Sequence, residues 1–154
     1  MQEIKERLQR ELATLEREFR VELPKEIHTA VAMGDLRENA EYHAALERQS
    51  FVRARIGELR ARLASLNSIS VDRIPRDRAG LGSRVLVLDL DTDEEIRYEL
   101  VVPEVADLEK GLISIASPVG KALVGLAQGE DAVVEIPSGR KHYEMLELKT
   151  IHDV

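Results

Sequence analysis

The residues best suited to chemistry are three carboxylates, Asp35, Glu38 and Glu41, set at three-residue steps. They lie in the stretch Gly34-Asp35-Leu36-Arg37-Glu38-Asn39-Ala40-Glu41-Tyr42-His43-Ala44-Ala45. Side chains three apart on a helical turn have Cβ atoms about 5–6 Å apart, so Asp35 and Glu38 can reach one cation. Two carboxylates do not complete a site. Mg²⁺ takes near-octahedral oxygen ligands, usually one or two protein carboxylates plus substrate phosphates. The pair therefore suits half of a shared site, finished by a partner that already holds metal and phosphate. A purely structural reading stands beside this one. Asp35 as N-cap and Glu38 at the third helical position form a D-x-x-E capping pattern, and acids in a first turn suit the helix dipole. The two readings are compatible, since an Asp has two oxygens.

Two long helices must carry this turn. Leu8, Leu12, Leu15 and Phe19 are spaced 4-3-4, and Val52, Ile56, Leu59, Leu63 and Leu66 are spaced 4-3-4-3. That is the seam of a coiled coil. Ile27 and Val31 extend the first stripe past Pro24, which lacks an amide donor and should kink or interrupt the first helix. Each arm of roughly 28–30 residues spans about 42–45 Å. Joined by a short turn, the two arms predict an antiparallel hairpin.

The pattern changes after Asn67. Residues 70–80 form a polar connector with Pro75 and Gly80. Beyond Gly82 the apolar period falls to about 2. Arg84 to Leu90 and Glu95 to Val102 flank the turn Asp91-Thr92-Asp93-Glu94. Leu112 to Ala116 predicts a short strand, and Ser117-Pro118 starts a short helix, with Ser as N-cap and Pro at the first position. Asp131 to Ile136 and Lys141 to Ile151 flank a second turn at Pro137-Ser138-Gly139-Arg140. The expected organisation is a coiled-coil arm over 1–74 with an acidic tip near 33–42, a linker over 75–81, and a small antiparallel α+β module over 82–154.

Composition limits the function classes. The chain of 154 residues has no cysteine, which excludes disulfides and thiolate metal sites. Its N-terminus is charged, and no run approaches the ~18 apolar residues of a membrane span. A cytoplasmic protein with no membrane partner is expected. The net charge of −7 is uneven. Residues 1–75 hold 13 Lys+Arg and 13 Asp+Glu, whereas residues 76–154 hold 9 and 16. An acidic second half and a neutral first half do not suit wrapping of duplex DNA, which needs many phosphate-neutralising cations.

The tip motif, together with Asp91-Thr92-Asp93-Glu94-Glu95, Leu112-Ile113-Ser114-Ile115-Ala116-Ser117-Pro118 and Leu123-Val124-Gly125, resembles the GreA/GreB family of bacterial transcript-cleavage factors. The likeness covers nearly the whole chain. It implies a C-terminal domain of FKBP-like fold that docks on RNA polymerase, and a coiled coil that enters the polymerase secondary channel. It further implies that Asp35 and Glu38 help hold a second Mg²⁺ and the attacking water while the polymerase cleaves the 3′ end of backtracked RNA. The ion is shared with the polymerase active centre, and the isolated protein is expected to hold none. The protein is then no enzyme itself, and a monomer is expected.

Family members often carry basic residues near the tip that hold RNA. The corresponding positions here are the apolar Val31 and Leu46, so Arg37 and Arg48 are the nearest candidates for nucleic-acid binding. Either Arg also has a structural reading as a charge on a solvated rod. Tyr42 is expected to pack at the apex, and His43 to be solvated. Asp91, Asp93, Glu94 and Glu95 lack the glycine and terminal Glu of a calcium loop and are expected to form a turn. With only Tyr98 and Tyr143 as aromatics in the second half, prolyl isomerase activity is not expected. Leu123-Val124-Gly125-Leu126 is either a docking surface or part of the core. Two other functions compete with cleavage stimulation. One is a related factor that occupies the same channel and regulates without cleavage, which the presence of both tip acids disfavours. The other is a coiled-coil scaffold with no polymerase role.

Overall fold

A computed structural model describes residues 1–34 and 38–153. They fall into two compact units, Met1–Ile69 and Ser70–Val154.

The first unit is an antiparallel helical hairpin. Helix α1 (Gln2–Arg17) runs into a π-helical turn, Glu18–Glu22, and on into α2 (Leu23–Ala32). The return arm is one helix, α3 (Ala40–Asn67). Buried side chains define the seam: Ile4, Leu8, Leu15, Leu23 and Ala30 on one arm, and Ala45, Val52, Ile56, Leu59, Leu63 and Leu66 on the other. Leu12, Phe19 and Ile27 are half-buried at its margin, and Val31 is exposed, so the stripe does not extend to it.

The interruption expected at Pro24 takes a specific form. Along the first arm the buried positions step by seven from Leu8 to Leu15 and from Leu23 to Ala30, but by eight from Leu15 to Leu23. An α-helix would rotate the later residues off the seam. The π turn takes up the extra residue: the Leu23 N–H donates to the Glu18 carbonyl, five residues back. Pro24, next in the chain and unable to donate, lies at the start of the α-helix that resumes.

Ion pairs flank the seam. Arg55 grips Glu11 at 2.9 and 3.2 Å, Arg48 grips Glu18 at 2.6 and 2.8 Å, and Arg60 reaches Glu16 at 3.0 Å. These pairs are solvent-accessible and contribute much less than the apolar seam, where each buried aliphatic side chain is worth about 1.5–3 kcal/mol.

The second unit is a five-stranded sheet in the order β3-β2-β1-β5-β4, with one short helix. The strands are β1 (Arg84–Asp89), β2 (Glu94–Val101), β3 (Leu112–Ser114), β4 (Asp131–Ile136) and β5 (Gly139–Lys149), and the helix is α4 (Pro118–Leu123). Three of the four pairings are antiparallel: β1-β2 and β4-β5, the hairpins expected from the turns, and β1-β5 between them. The fourth departs from that expectation, because β3 runs parallel to β2. Two 3₁₀ turns, Pro103–Val105 and Leu108–Lys110, carry the chain back so that β3 enters in the same direction. The core gathers Val85, Val87, Leu100, Ile113, Leu123, Val134, Tyr143 and Met145. Residues 70–81 pack with this unit. Ala79 is buried, its N–H donates to the Leu126 carbonyl at 2.9 Å, and its own carbonyl accepts from Gly125 at 2.8 Å.

Helix α4 starts as the sequence predicts: the Ser117 hydroxyl accepts from the Gly120 N–H at 3.1 Å, with Pro118 at the first position. A Cβ on Gly120 would lie 1.9 Å from the Ser114 carbonyl oxygen. Backbone cannot yield as a flexible side chain would. Gly120→Ala is expected to cost about 3 kcal/mol, at the top of the overpacking range. Chemical denaturation followed through the sheet unit should register it, and a wild-type midpoint would show that α4 shifts freely.

Candidate functional site

The apex is built from the ends of α2 and α3. Helix α2 closes with the Met33 N–H donating to the Ala30 carbonyl at 3.1 Å. Gly34 follows at φ +125°, a backbone state that L side chains rarely adopt. On the far side, Asn39 caps α3. Its side-chain oxygen accepts from the Tyr42 N–H at 3.0 Å. Its amide nitrogen donates to the Ala30 carbonyl at 2.6 Å. One side chain therefore starts the return helix and ties it to the end of the outgoing one.

This arrangement corrects the capping reading of the tip. Asn39 is the N-cap, and Glu38 precedes it in a turn, exposed and outside the first turn of α3. Glu41 is the acid in that turn. Asp35 and Arg37, two of the candidate site residues, lie outside the described residues. Glu38 and Glu41 line a shallow hollow with Met33, Asn39 and Ala40. Among the described residues, no group of three or more His, Asp or Glu side chains is placed to hold a metal ion.

Arg48 is not near Glu38. It lies eight residues into α3, about 12 Å along the axis from Ala40. Its guanidinium is committed to Glu18 on the opposite arm and lies 5.2 Å from the Phe51 ring centroid. The hydrogen bond to Arg48 holds the Glu18 carboxyl below its ordinary value, and Glu11 is lowered in the same way by Arg55. Tyr42 is half-buried, with its ring 5.8 Å from that of His43 in an edge arrangement, and Leu46 is half-buried.

In the sheet unit, Asp91 and Asp93 lie in the turn as expected, whereas Glu94 and Glu95 already belong to β2. The buried Asp89 accepts from the Asp91 N–H at 2.9 Å and the Thr92 N–H at 3.4 Å, which together lower its pKa. Leu123 is fully buried and Leu126 half-buried, so only Val124 of that apolar run presents a largely exposed side chain. Tyr143 is buried and Tyr98 packs against the same core.

Comparison with known proteins settles the family. The model described as "Transcription elongation factor, N-terminal" matches residues 2–67, and "Transcription elongation factor, GreA/GreB, C-term" matches residues 74–150. The chain belongs to the GreA/GreB transcription elongation factor family. Transcription elongation factor GreA of Thermodesulfovibrio yellowstonii is 45% identical over 93% of this chain and 90% of its own. That of Magnetococcus marinus is 44% identical over 96% and 91%. Among solved structures, GreA factor homolog 1 of Thermus thermophilus aligns over 94% of this chain and 93% of its own, at 25% identity and a TM-score of 0.43.

Sequence alone does not single out Asn39 as the cap, because Asp35 with Glu38 makes an equally competent capping pattern just before it. Its signal was an Asn directly before a helical run. Asn39→Ala removes the cap and leaves the Ala30 carbonyl one donor short. The expected loss is about 1–2 kcal/mol of hairpin stability. Amide exchange at Met33 and Tyr42 should accelerate, and unchanged protection there would show that the apex does not depend on this side chain. The two lowered carboxyls give a pH dependence. Their stabilisation is complete above the unfolded-state value of about 4.3 and is lost as pH falls through the lower folded-state values. In thermal melts between pH 6 and 3, roughly spanning that range, Glu11→Gln with Glu18→Gln should flatten the acid fall in Tm. A fall as steep as wild type would assign the acid sensitivity to other groups.

Proposed function

We propose that this elongation factor acts on RNA polymerase by inserting its helical hairpin into the secondary channel and presenting Asp35 and Glu38 at the active centre. The observation that carries this reading is Glu38 itself. It is an exposed carboxylate on the turn of a two-helix rod, held at the start of a 28-residue helix by the bridging amide of Asn39. An acid so placed has no cap to make and projects where a compact domain cannot reach.

The donor set suits Mg²⁺, which favours hard oxygen ligands and takes one or two carboxylates beside phosphate oxygens. Asp35 and Glu38 would hold the ion jointly with groups of the polymerase. The ion supplies water activation and charge neutralisation at a phosphodiester. The chain's own part is positional. Asn39 fixes where α3 begins, the apolar seam keeps the rod straight behind it, and the ion pairs on its flanks hold the two arms side by side. The RNA 3′ segment is the substrate and the polymerase the enzyme, so the factor stimulates a cleavage it does not perform. Arg37 is the tip cation best placed in sequence to meet RNA. Arg48 would first have to leave Glu18. The factor works as a monomer in the cytoplasm, and the sheet unit provides the docking surface on the polymerase.

The test uses backtracked elongation complexes with 3′-labelled RNA over a Mg²⁺ titration. Asp35→Asn and Glu38→Gln should each lower stimulated cleavage by about 10²-fold, the scale of losing one preorganised electrostatic contact. Each should still compete with wild type for polymerase. Wild-type cleavage by both variants at every Mg²⁺ concentration would end the shared-metal reading. Loss of polymerase binding in either variant would move these acids from chemistry to docking.

A further inference from the structure

Three departures from an ideal coiled coil meet at one place on the hairpin. The first is the π turn at Glu18–Glu22, a feature often found at functional sites. The second is Gly57, a glycine within α3 whose missing Cβ would meet no atom within 4 Å. Glycine is less favourable than alanine inside a helix, and neither a positive φ nor a close approach calls for it here. The third is Phe19, whose ring is only half-buried at the seam margin. Together they open a groove of about 370 Å³ on the flank of the rod.

The floor of the groove is apolar, formed by Phe19 and the buried Ile56 beside the notch at Gly57. Its rim carries Arg20, Arg53 and Arg60. Glu16 is the one carboxylate in the lining, and it already serves two of them, Arg60 at 3.0 Å and Arg20 at 3.9 Å. Arg53 lies over the Phe19 ring at 5.5 Å from its centroid, and among the described residues it has no carboxylate within salt-bridge distance. An apolar floor with a net cationic rim calls for an occupant that is apolar at its centre and anionic at its edges.

We propose that this groove binds an acidic polypeptide segment through a single aromatic or aliphatic anchor side chain. The anchor fills the notch at Gly57 against Phe19, and flanking carboxylates meet Arg53 and the rim. A polypeptide fits better than a nucleic acid strand. Glu16 opposes a continuous run of phosphates, and a floor of one ring and one aliphatic side chain has room for one anchor. The groove lies about 25 Å along α3 from the apex, so it does not depend on the chemistry assigned there.

The test is fluorescence anisotropy with the full chain and a fluorescein-labelled peptide in which a central Phe is flanked on each side by three acidic residues. Controls replace the central Phe with Ala, or the peptide with oligo-deoxythymidine. Saturable binding of the Phe peptide should weaken roughly tenfold in Gly57→Leu, the loss typical of a blocked anchor pocket. It should weaken comparably in Arg53→Gln. Gly57→Leu should keep or raise Tm, because leucine is the better helix former, so lost binding cannot be ascribed to unfolding. Four results would each overturn the proposal. They are no saturable binding of the Phe peptide, equal binding of the Ala control or oligo-deoxythymidine, unchanged binding by Gly57→Leu, and sedimentation showing that a second copy of the chain occupies the groove.

Discussion

The apolar seam between the arms must stay continuous although the first arm has one residue too many. Leu15 and Leu23 both face α3, yet they are eight positions apart where the repeat allows seven. Widening one turn to π geometry solves this locally and leaves regular helix on either side. Had the extra residue been left to a uniform α-helix, Leu23 and Ala30 would rotate toward solvent. The Ala30 carbonyl would then turn away from Asn39, and the apex would lose its tie. Everything proposed for the tip acids therefore rests on a turn well down the rod from them.

Much of the architecture is legible in the residues because local signals agree with the global pattern. The heptads of α3 need no tertiary information, and neither does the Ser117-Pro118 start of α4. The unreadable parts are those where two signals compete. Pro24 announces an interruption, but nothing local says that the interruption preserves the seam. Asp35, Glu38 and Asn39 are all competent caps, and only the position of Ala30 across the turn selects Asn39. Leu112 to Ser114 reads as a strand whichever way it runs. Its parallel pairing is set by the 3₁₀ turns before it, whose sequences carry no strong periodicity. Arg48 shows the same limit for function: its charge is visible in the sequence, but its engagement with Glu18 is not.

The two units also divide the charge. The hairpin half is balanced, and three of its arginines, Arg48, Arg55 and Arg60, pair with the opposite arm, whereas the sheet half carries the whole net charge. A rod with little net charge can approach an acidic environment without strong repulsion. Against that background Glu38 at the apex and Arg53 on the flank, neither held in an ion pair among the described residues, are two places where specific contacts can form.

The ion pairs repeat with the seam. Glu11 and Glu18 are one heptad apart, as are Arg55 and Arg48, their partners. Sliding one arm by a full heptad would bring Glu18 opposite Arg55, an equally good match. Those two pairs alone thus cannot tell the correct alignment from a shifted one, although Arg60–Glu16 is lost in the slide because it would set Glu16 opposite Asn67. The covalent turn removes that ambiguity outright, because too few residues separate α2 from α3 to feed a slip. A separated pair of arms, from a nicked chain or two synthetic peptides, would have only Arg60–Glu16 and the eight-residue step of the seam to hold its register. Closure at the apex serves as the molecule's firmest index mark for length.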